Sequence, residues 1–93
     1  MYQLVETSEI LNINTIEGVS IKELEKAERM PRTPKYKQET LVSTSFMKHI
    51  VNETNDFSKA TTTTDSEESR IVKTCYFSVA DAVEKVTYEF IKK

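Results

Sequence analysis

The stretch VADAVEKVTYEFIKK (79–93) carries the most regular hydrophobic pattern in the chain. Its apolar residues recur mainly at intervals of three and four, the spacing of one face of an α-helix; they are Val79, Ala82, Val83, Val86, Phe90 and Ile91. The opposite side holds Asp81, Glu84, Lys85, Tyr88 and Lys92. Ser78 is a suitable N-cap with Asp81 three residues on, and the final lysines suit the negative end of a helix dipole. The pattern predicts a C-terminal amphipathic helix.

A second helix is indicated by the sequence SIKE (20–23), in which Ser20 and Glu23 can form a capping box. A narrow apolar stripe follows, made of Ile21, Leu24 and Ala27. Pro31 disfavours helical geometry at Met30. These signals predict a helix over 21–29.

A third helix is predicted after Ser43 or Ser45, although residues 40–46 are also rich in strand-forming types. Its apolar positions are Phe46, Met47, Ile50 and Val51, with Phe57 as a further candidate. Residues 1–16 fit both a helix and short strands, and we favour short strands.

A strand is predicted over Arg70–Phe77, which is dense in β-branched and aromatic residues. The threonine run 61–64 can pair with it, which would make Asp65–Ser69 an acidic hairpin loop. The alternative is a solvated loop at 61–64. Together these elements predict a single α+β domain over 1–93, with about three helices, a small antiparallel β-hairpin or sheet and the C-terminal amphipathic helix. Gly18 and two prolines are too few turn residues for a many-stranded barrel.

Composition argues against several classes of protein. The net charge of −2 exerts no global attraction on nucleic acid or an anionic membrane. Cys75 is the sole cysteine, which excludes an internal disulfide and fits a reducing compartment. There is no secretion signal at the N-terminus and no apolar run that could cross a bilayer, so we expect a cytoplasmic protein without membrane contact.

Catalytic chemistry has little support in the residues present. One glycine cannot build a phosphate-binding loop, and one histidine with one cysteine cannot dominate a metal shell. A Cys75–His49 dyad is conceivable, but a strand cysteine is usually a buried inert thiol. We therefore expect no enzyme activity, no cofactor and no metal.

The uneven distribution of charge is the most informative feature for binding. The middle of the chain is basic, and a possible contact surface there, the basic segment, comprises Lys26, Arg29, Arg32, Lys35, Tyr36 and Lys37. A second candidate is the acidic loop, with Asp65, Glu67 and Glu68. The alternative for both is a plain solvated surface. The cations and the tyrosine ring could contact a phosphate backbone.

Two functional hypotheses follow. The first is a small non-enzymatic regulator or inhibitor that binds another protein, of the kind encoded by phages or other mobile elements. The Lys-, Asn-, Ile- and Thr-rich composition prompts that origin. The second is a DNA-binding regulator. If residues 4–12 were helical, the element order would resemble winged-helix DNA-binding domains, although Glu67 and Glu68 would repel phosphate in the wing. The terminal helix could also form a homodimer seam.

Overall fold

A computed structural model describes residues 1–31, 36–53 and 58–93. Over these residues the chain forms five strands and two short helices. Their order is β1 (Tyr2–Leu11), α1 (Ile21–Lys26), β2 (Tyr36–Val42), α2 (Thr44–Asn52), β3 (Ser58–Thr64), β4 (Arg70–Val79) and β5 (Ala82–Lys92). The strands make one antiparallel sheet in the order β2-β1-β5-β4-β3, so β5 lies at its centre.

The predicted C-terminal helix is wrong, and with it the fold of about three helices. Residues 82–92 form β5, which pairs with β1 on one side and β4 on the other. Ser78 is no helix cap but lies opposite Val83, and a two-residue turn joins β4 to β5 after the Val79–Ala82 pair. The winged-helix order is excluded too, since both its first and its last helix are strands here.

The helices cover opposite faces of the sheet at opposite ends. Residues that pair across neighbouring strands share a face, so the register assigns each strand residue to one of the two faces of the sheet. On the face that we call the α2 face, the core comprises Tyr2, Leu4, Met47, Ile71 and Phe90. On the other, the α1 face, it comprises Leu11, Ile16, Leu24, Tyr76 and Val83. Among the described residues, each helix packs against one end of its own face.

This arrangement explains why β5 mimics a helix in the sequence. Val83 is buried on the α1 face, whereas Val86 and Phe90 are buried on the α2 face further along the strand. The switch of face produces buried residues three and four positions apart. A helical period therefore arises from a strand that is covered on different sides at its two ends.

The starts of both remaining helices are confirmed. Ser20 accepts a hydrogen bond from the Glu23 amide, and Ser43 accepts one from the Phe46 amide. However, α1 ends at Lys26 rather than at 29, because the chain then runs beside the end of β1. The Asn12 amide donates to the Glu28 carbonyl at 2.7 Å, and the Met30 amide donates to the Ile10 carbonyl at 2.8 Å. The predicted helical position of Phe57 lies outside the described residues.

The predicted hairpin is confirmed, since the threonine run lies in β3 and pairs with β4. The ambiguous N-terminal region forms the long strand β1 rather than several short ones. Across the described ranges, neither helix has the length and apolar content needed to cross a membrane.

A buried lysine attaches α2 to the sheet. Lys73 on β4 is 4% exposed, and its ammonium group donates to the carbonyls of Ile50 at 2.9 Å and Val51 at 3.1 Å, and also to that of Glu53. These carbonyls belong to the last turn and end of α2, where intrahelical donors run out and the helix dipole is negative. Lys73 thus caps the helix from the sheet and holds it over one half of the α2 face.

Candidate functional site

The half of the α2 face that α2 does not cover forms an open concavity of about 680 Å³, which we call the groove. Four strands contribute to it. Its lining residues are Glu6, Ser8, Tyr36, Phe77, Val79, Glu84, Val86 and Tyr88. Strand alternation brings these positions to one side, because Glu6 pairs with Tyr88 and Ser8 pairs with both Tyr36 and Val86.

The groove combines aromatic rings, of which Tyr36 is exposed, with carboxylates. Tyr36 is 52% exposed and Val79 is 44% exposed, so large apolar surface faces solvent here. Glu6 and Glu84 are half-buried, and none of the described residues that line the groove is basic. Lys73 shares this face with Tyr88, but its ammonium group is bound to the end of α2. The groove is therefore a negative surface with aromatic walls.

Tyr88 lies at the centre of this surface. Burial, followed by the neighbouring Glu6 carboxylate, raises the pKa of its phenol to about 12. Both causes disfavour the phenolate, so the hydroxyl group keeps its proton at neutral pH. It can act as a hydrogen-bond donor without adding a third negative charge.

A second cavity of about 250 Å³ continues the groove toward α2 and shares Glu6 and Tyr88 with it. Its remaining lining residues are Leu4, Gln38, Thr40, Val42, Phe46 and Ile50. Phe46 projects from the first turn of α2 and is 44% exposed. The combined surface thus has an apolar end beside the helix and an acidic aromatic end over the open sheet. Such a surface can bind apolar and cationic side chains of one ligand.

The basic segment predicted from the sequence is divided by the fold. Tyr36 lines the groove, whereas Lys37 lies on the α1 face and pairs with Glu39 at 2.9 Å. Lys26 is exposed at the end of α1, and Arg29 is exposed where the chain runs beside Leu11. Arg32 and Lys35 lie outside the described residues. Of the described members, only Tyr36 belongs to the groove.

The acidic loop is at the far end of the β3–β4 hairpin. Asp65 organises it by accepting hydrogen bonds from the Ser69 amide at 2.8 Å and the Ser69 hydroxyl at 2.6 Å, which lower the pKa of its carboxyl group. Glu67 and Glu68 are exposed, and Glu68 has a left-handed backbone with a φ of 56°. The described contacts of this loop are those of a hairpin turn.

The two residues considered for catalysis differ in exposure. His49 is exposed on α2, and Cys75 is buried on the α2 face beneath the groove. Burial raises the pKa of the Cys75 thiol, which is the opposite of what an activated nucleophile requires. In the part of the chain that the structure describes, no three His, Cys, Asp or Glu side chains are grouped as a metal site requires.

Most of the groove was missed by sequence reasoning. The sequence pattern predicts Glu84 and Tyr88 on the polar side of a helix, and it leaves the conformation at Glu6 ambiguous. Phe77 was placed on a strand, but its face could not be chosen without the neighbouring strands. Glu6 and Ser8 are two residues apart, a spacing that places both on one face only if β1 is a strand.

Fold and groove together define a small antiparallel-sheet domain with one helix on each face and one open acidic aromatic surface. No family model, curated protein or solved structure matches this chain.

Proposed function

We propose that this protein is a non-enzymatic binding protein, a regulator or inhibitor of another protein, and that its groove holds a partner segment with basic and apolar side chains. The observation that carries the proposal is the groove on the α2 face, with its carboxylates, its rings and the exposed Tyr36 and Val79. Soluble domains rarely leave large apolar residues clustered on a surface unless a partner covers them.

The chemistry of the groove selects a cationic partner. A lysine or arginine side chain over Tyr36 or Tyr88 gains a cation–π contact of about 0.5–2 kcal/mol, and a nearby carboxylate strengthens it. The apolar end beside Phe46 accommodates an aliphatic or aromatic side chain. Interfaces commonly combine such aromatic anchors with a polar rim.

The spacing of the two carboxylates suggests an extended ligand. Glu6 pairs with Tyr88, which is four residues from Glu84 along β5. Four residues of a strand span about 13 Å. An extended partner segment with basic residues four positions apart would place one cation near each carboxylate.

A protein partner is favoured over nucleic acid for this surface. Glu6 and Glu84 repel phosphates, whereas Lys37 and Lys85, each next in sequence to a lining residue, lie on the α1 face. Phosphate contacts supply most of the affinity of nucleic-acid binders. A sheet face of this charge suits a basic peptide segment instead.

The test compares two double charge reversals with the same change in net charge. Glu6→Lys with Glu84→Lys alters the groove, and Glu67→Lys with Glu68→Lys alters the acidic loop. Each tagged variant and the wild type are used to capture proteins from host lysate, with circular dichroism as a folding control. We expect a stoichiometric partner to bind the wild type and the loop variant but not the groove variant.

The opposite pattern would assign the contact to the acidic loop. Retention of the same partner by both variants would refute a role for the groove. A second readout uses a synthetic peptide, Lys-Val-Thr-Val-Lys, titrated into isotope-labelled protein. Shifts confined to the groove amides, and lost in the groove variant, are expected. Shifts spread over the whole surface would contradict the proposal.

A further inference from the structure

The two edges of the sheet differ in how they are protected against pairing with another strand. On β2, the exposed ion pair of Lys37 and Glu39 places charge at the edge. On β3, the residues from Ala60 to Thr64 carry no charge and no proline. Most of them are exposed. Charged residues and prolines are the usual means of blocking an edge strand, so over the described residues β3 is the less protected edge.

Two-fold symmetry restricts how β3 can pair with its own copy. Antiparallel strands related by a two-fold axis place one residue opposite its own copy. Every residue a given number of positions before this centre then pairs with the residue the same number of positions after it. A register centred on Thr62 places Thr61 opposite Thr63, and Ala60 opposite Thr64. Threonine pairs across strands are favourable.

The same register is complementary in charge. It places Lys59 of each chain opposite Asp65 of the other, once at each end of the paired segment. Registers centred on Thr61 or Thr63 lack this match. The ammonium group of Lys59 has three donors and uses one on the Val19 carbonyl, and the Asp65 carboxylate, which accepts from Ser69, is exposed.

We infer that this protein forms a homodimer through antiparallel pairing of β3 with β3, in the register centred on Thr62. The dimer has one continuous ten-stranded sheet. Because paired residues share a face, the α2 faces of both chains lie on the same side. Two grooves then open in one direction, which suits a partner that presents two binding segments. The pairing itself does not depend on the proposed use of the groove.

Cysteine cross-linking tests both the edge and the register. Thr62→Cys, in a Cys75→Ala background, places two thiols across the axis at a Cα separation of about 4.5–5.5 Å, which a disulfide can span. We expect a covalent dimer under mild oxidation. Thr40→Cys is the matched control on β2, and Thr64→Cys tests the register, because its partner in the other chain is Ala60.

Sedimentation of the unmodified chain, from micromolar to millimolar concentration, is the second measurement. We expect a reversible dimer that Thr62→Lys dissociates by placing two cations across the axis, whereas Thr40→Lys leaves it intact. A wild-type chain that stays monomeric throughout this range would overturn the inference. Cross-linking that is faster at position 40 than at position 62 would refute β3 as the dimer edge. Cross-linking that is faster at position 64 than at position 62 would refute the register centred on Thr62.

Discussion

Replacing Lys73 with methionine removes the ammonium group that caps α2 while preserving most of the length of the side chain. In the wild type this group donates to the carbonyls of Ile50, Val51 and Glu53. Lys73 is the sole buried charged residue among those that the structure describes. Its loss should therefore reveal how strongly the sheet holds the helix.

The expected change in the free energy of unfolding combines the hydrogen bonds that the carbonyls lose with the desolvation cost that disappears with the ammonium group. An unsatisfied buried acceptor costs about 1–3 kcal/mol, and loss of a cation at a helix C-terminus costs about 0.3–1 kcal/mol more. Two terms oppose this loss. The exposed Asn52 and Glu53 allow water to reach the end of α2, and the desolvation cost of the ammonium group disappears. We expect a net loss of about 2 kcal/mol in the free energy of unfolding.

Urea denaturation followed by far-ultraviolet circular dichroism measures this difference. For a domain of this size, about 2 kcal/mol corresponds to a fall of about 8–16 °C in Tm. Lys48→Met is the matched control, since Lys48 is exposed on the same helix, and it should change stability by less than about 0.5 kcal/mol. A Lys73→Met protein as stable as the wild type would refute the capping role. So would unchanged hydrogen-exchange protection of the α2 amides.

Two further predictions concern the β4–β5 turn and the groove. Ala80 has a left-handed φ of 52°, so Ala80→Gly should stabilise the protein by about 0.5–1 kcal/mol in urea denaturation, whereas Ala60→Gly within β3 should destabilise it by a similar amount. Tyr88 has a pKa of about 12 in the folded chain, against 10 in the unfolded one. Between these pH values the folded state keeps a proton that the unfolded state has lost, so the stability of the protein should fall as the pH rises from 10 to 12. Tyr88→Phe should lose less stability over this range, and an identical loss in both proteins would contradict the assignment.

Local signals in the sequence indicate the helix starts and the hairpin, although they leave Ser43 and Ser45 as alternative caps and a solvated loop as the alternative to the hairpin. Ser20 and Ser43 each precede a short apolar stripe, and the hydroxyl of each accepts from an amide three residues on. This interaction lies within four residues of chain, so no tertiary information is needed to predict it. The β3–β4 hairpin is equally local, with a five-residue loop organised by Asp65 and Ser69.

The groove could be predicted only in part, because its residues come from four strands. The sequence indicates Tyr36 as a ring available for binding, and Tyr36 does line the groove. Its charged neighbours there are glutamates, not the cations of the basic segment. Strand pairing decides which neighbours a side chain has, and the pairing of β1 with β5 joins the two ends of the chain. Spacing along the sequence carries no signal for Glu6 and Tyr88 as neighbours.

By itself the sequence determined where short-range hydrogen bonds begin a helix or close a turn. Only the tertiary structure decided the conformation of residues 82–92. Their spacing of buried residues satisfies a helix, yet it equally satisfies a strand whose two ends are buried on opposite faces. The choice depends on β1 and β4 being present to pair with both edges, and on α1 and α2 covering opposite faces. The turn to β4 is local, but β1 lies about eighty positions away, so no short window of sequence contains the pairing on both edges.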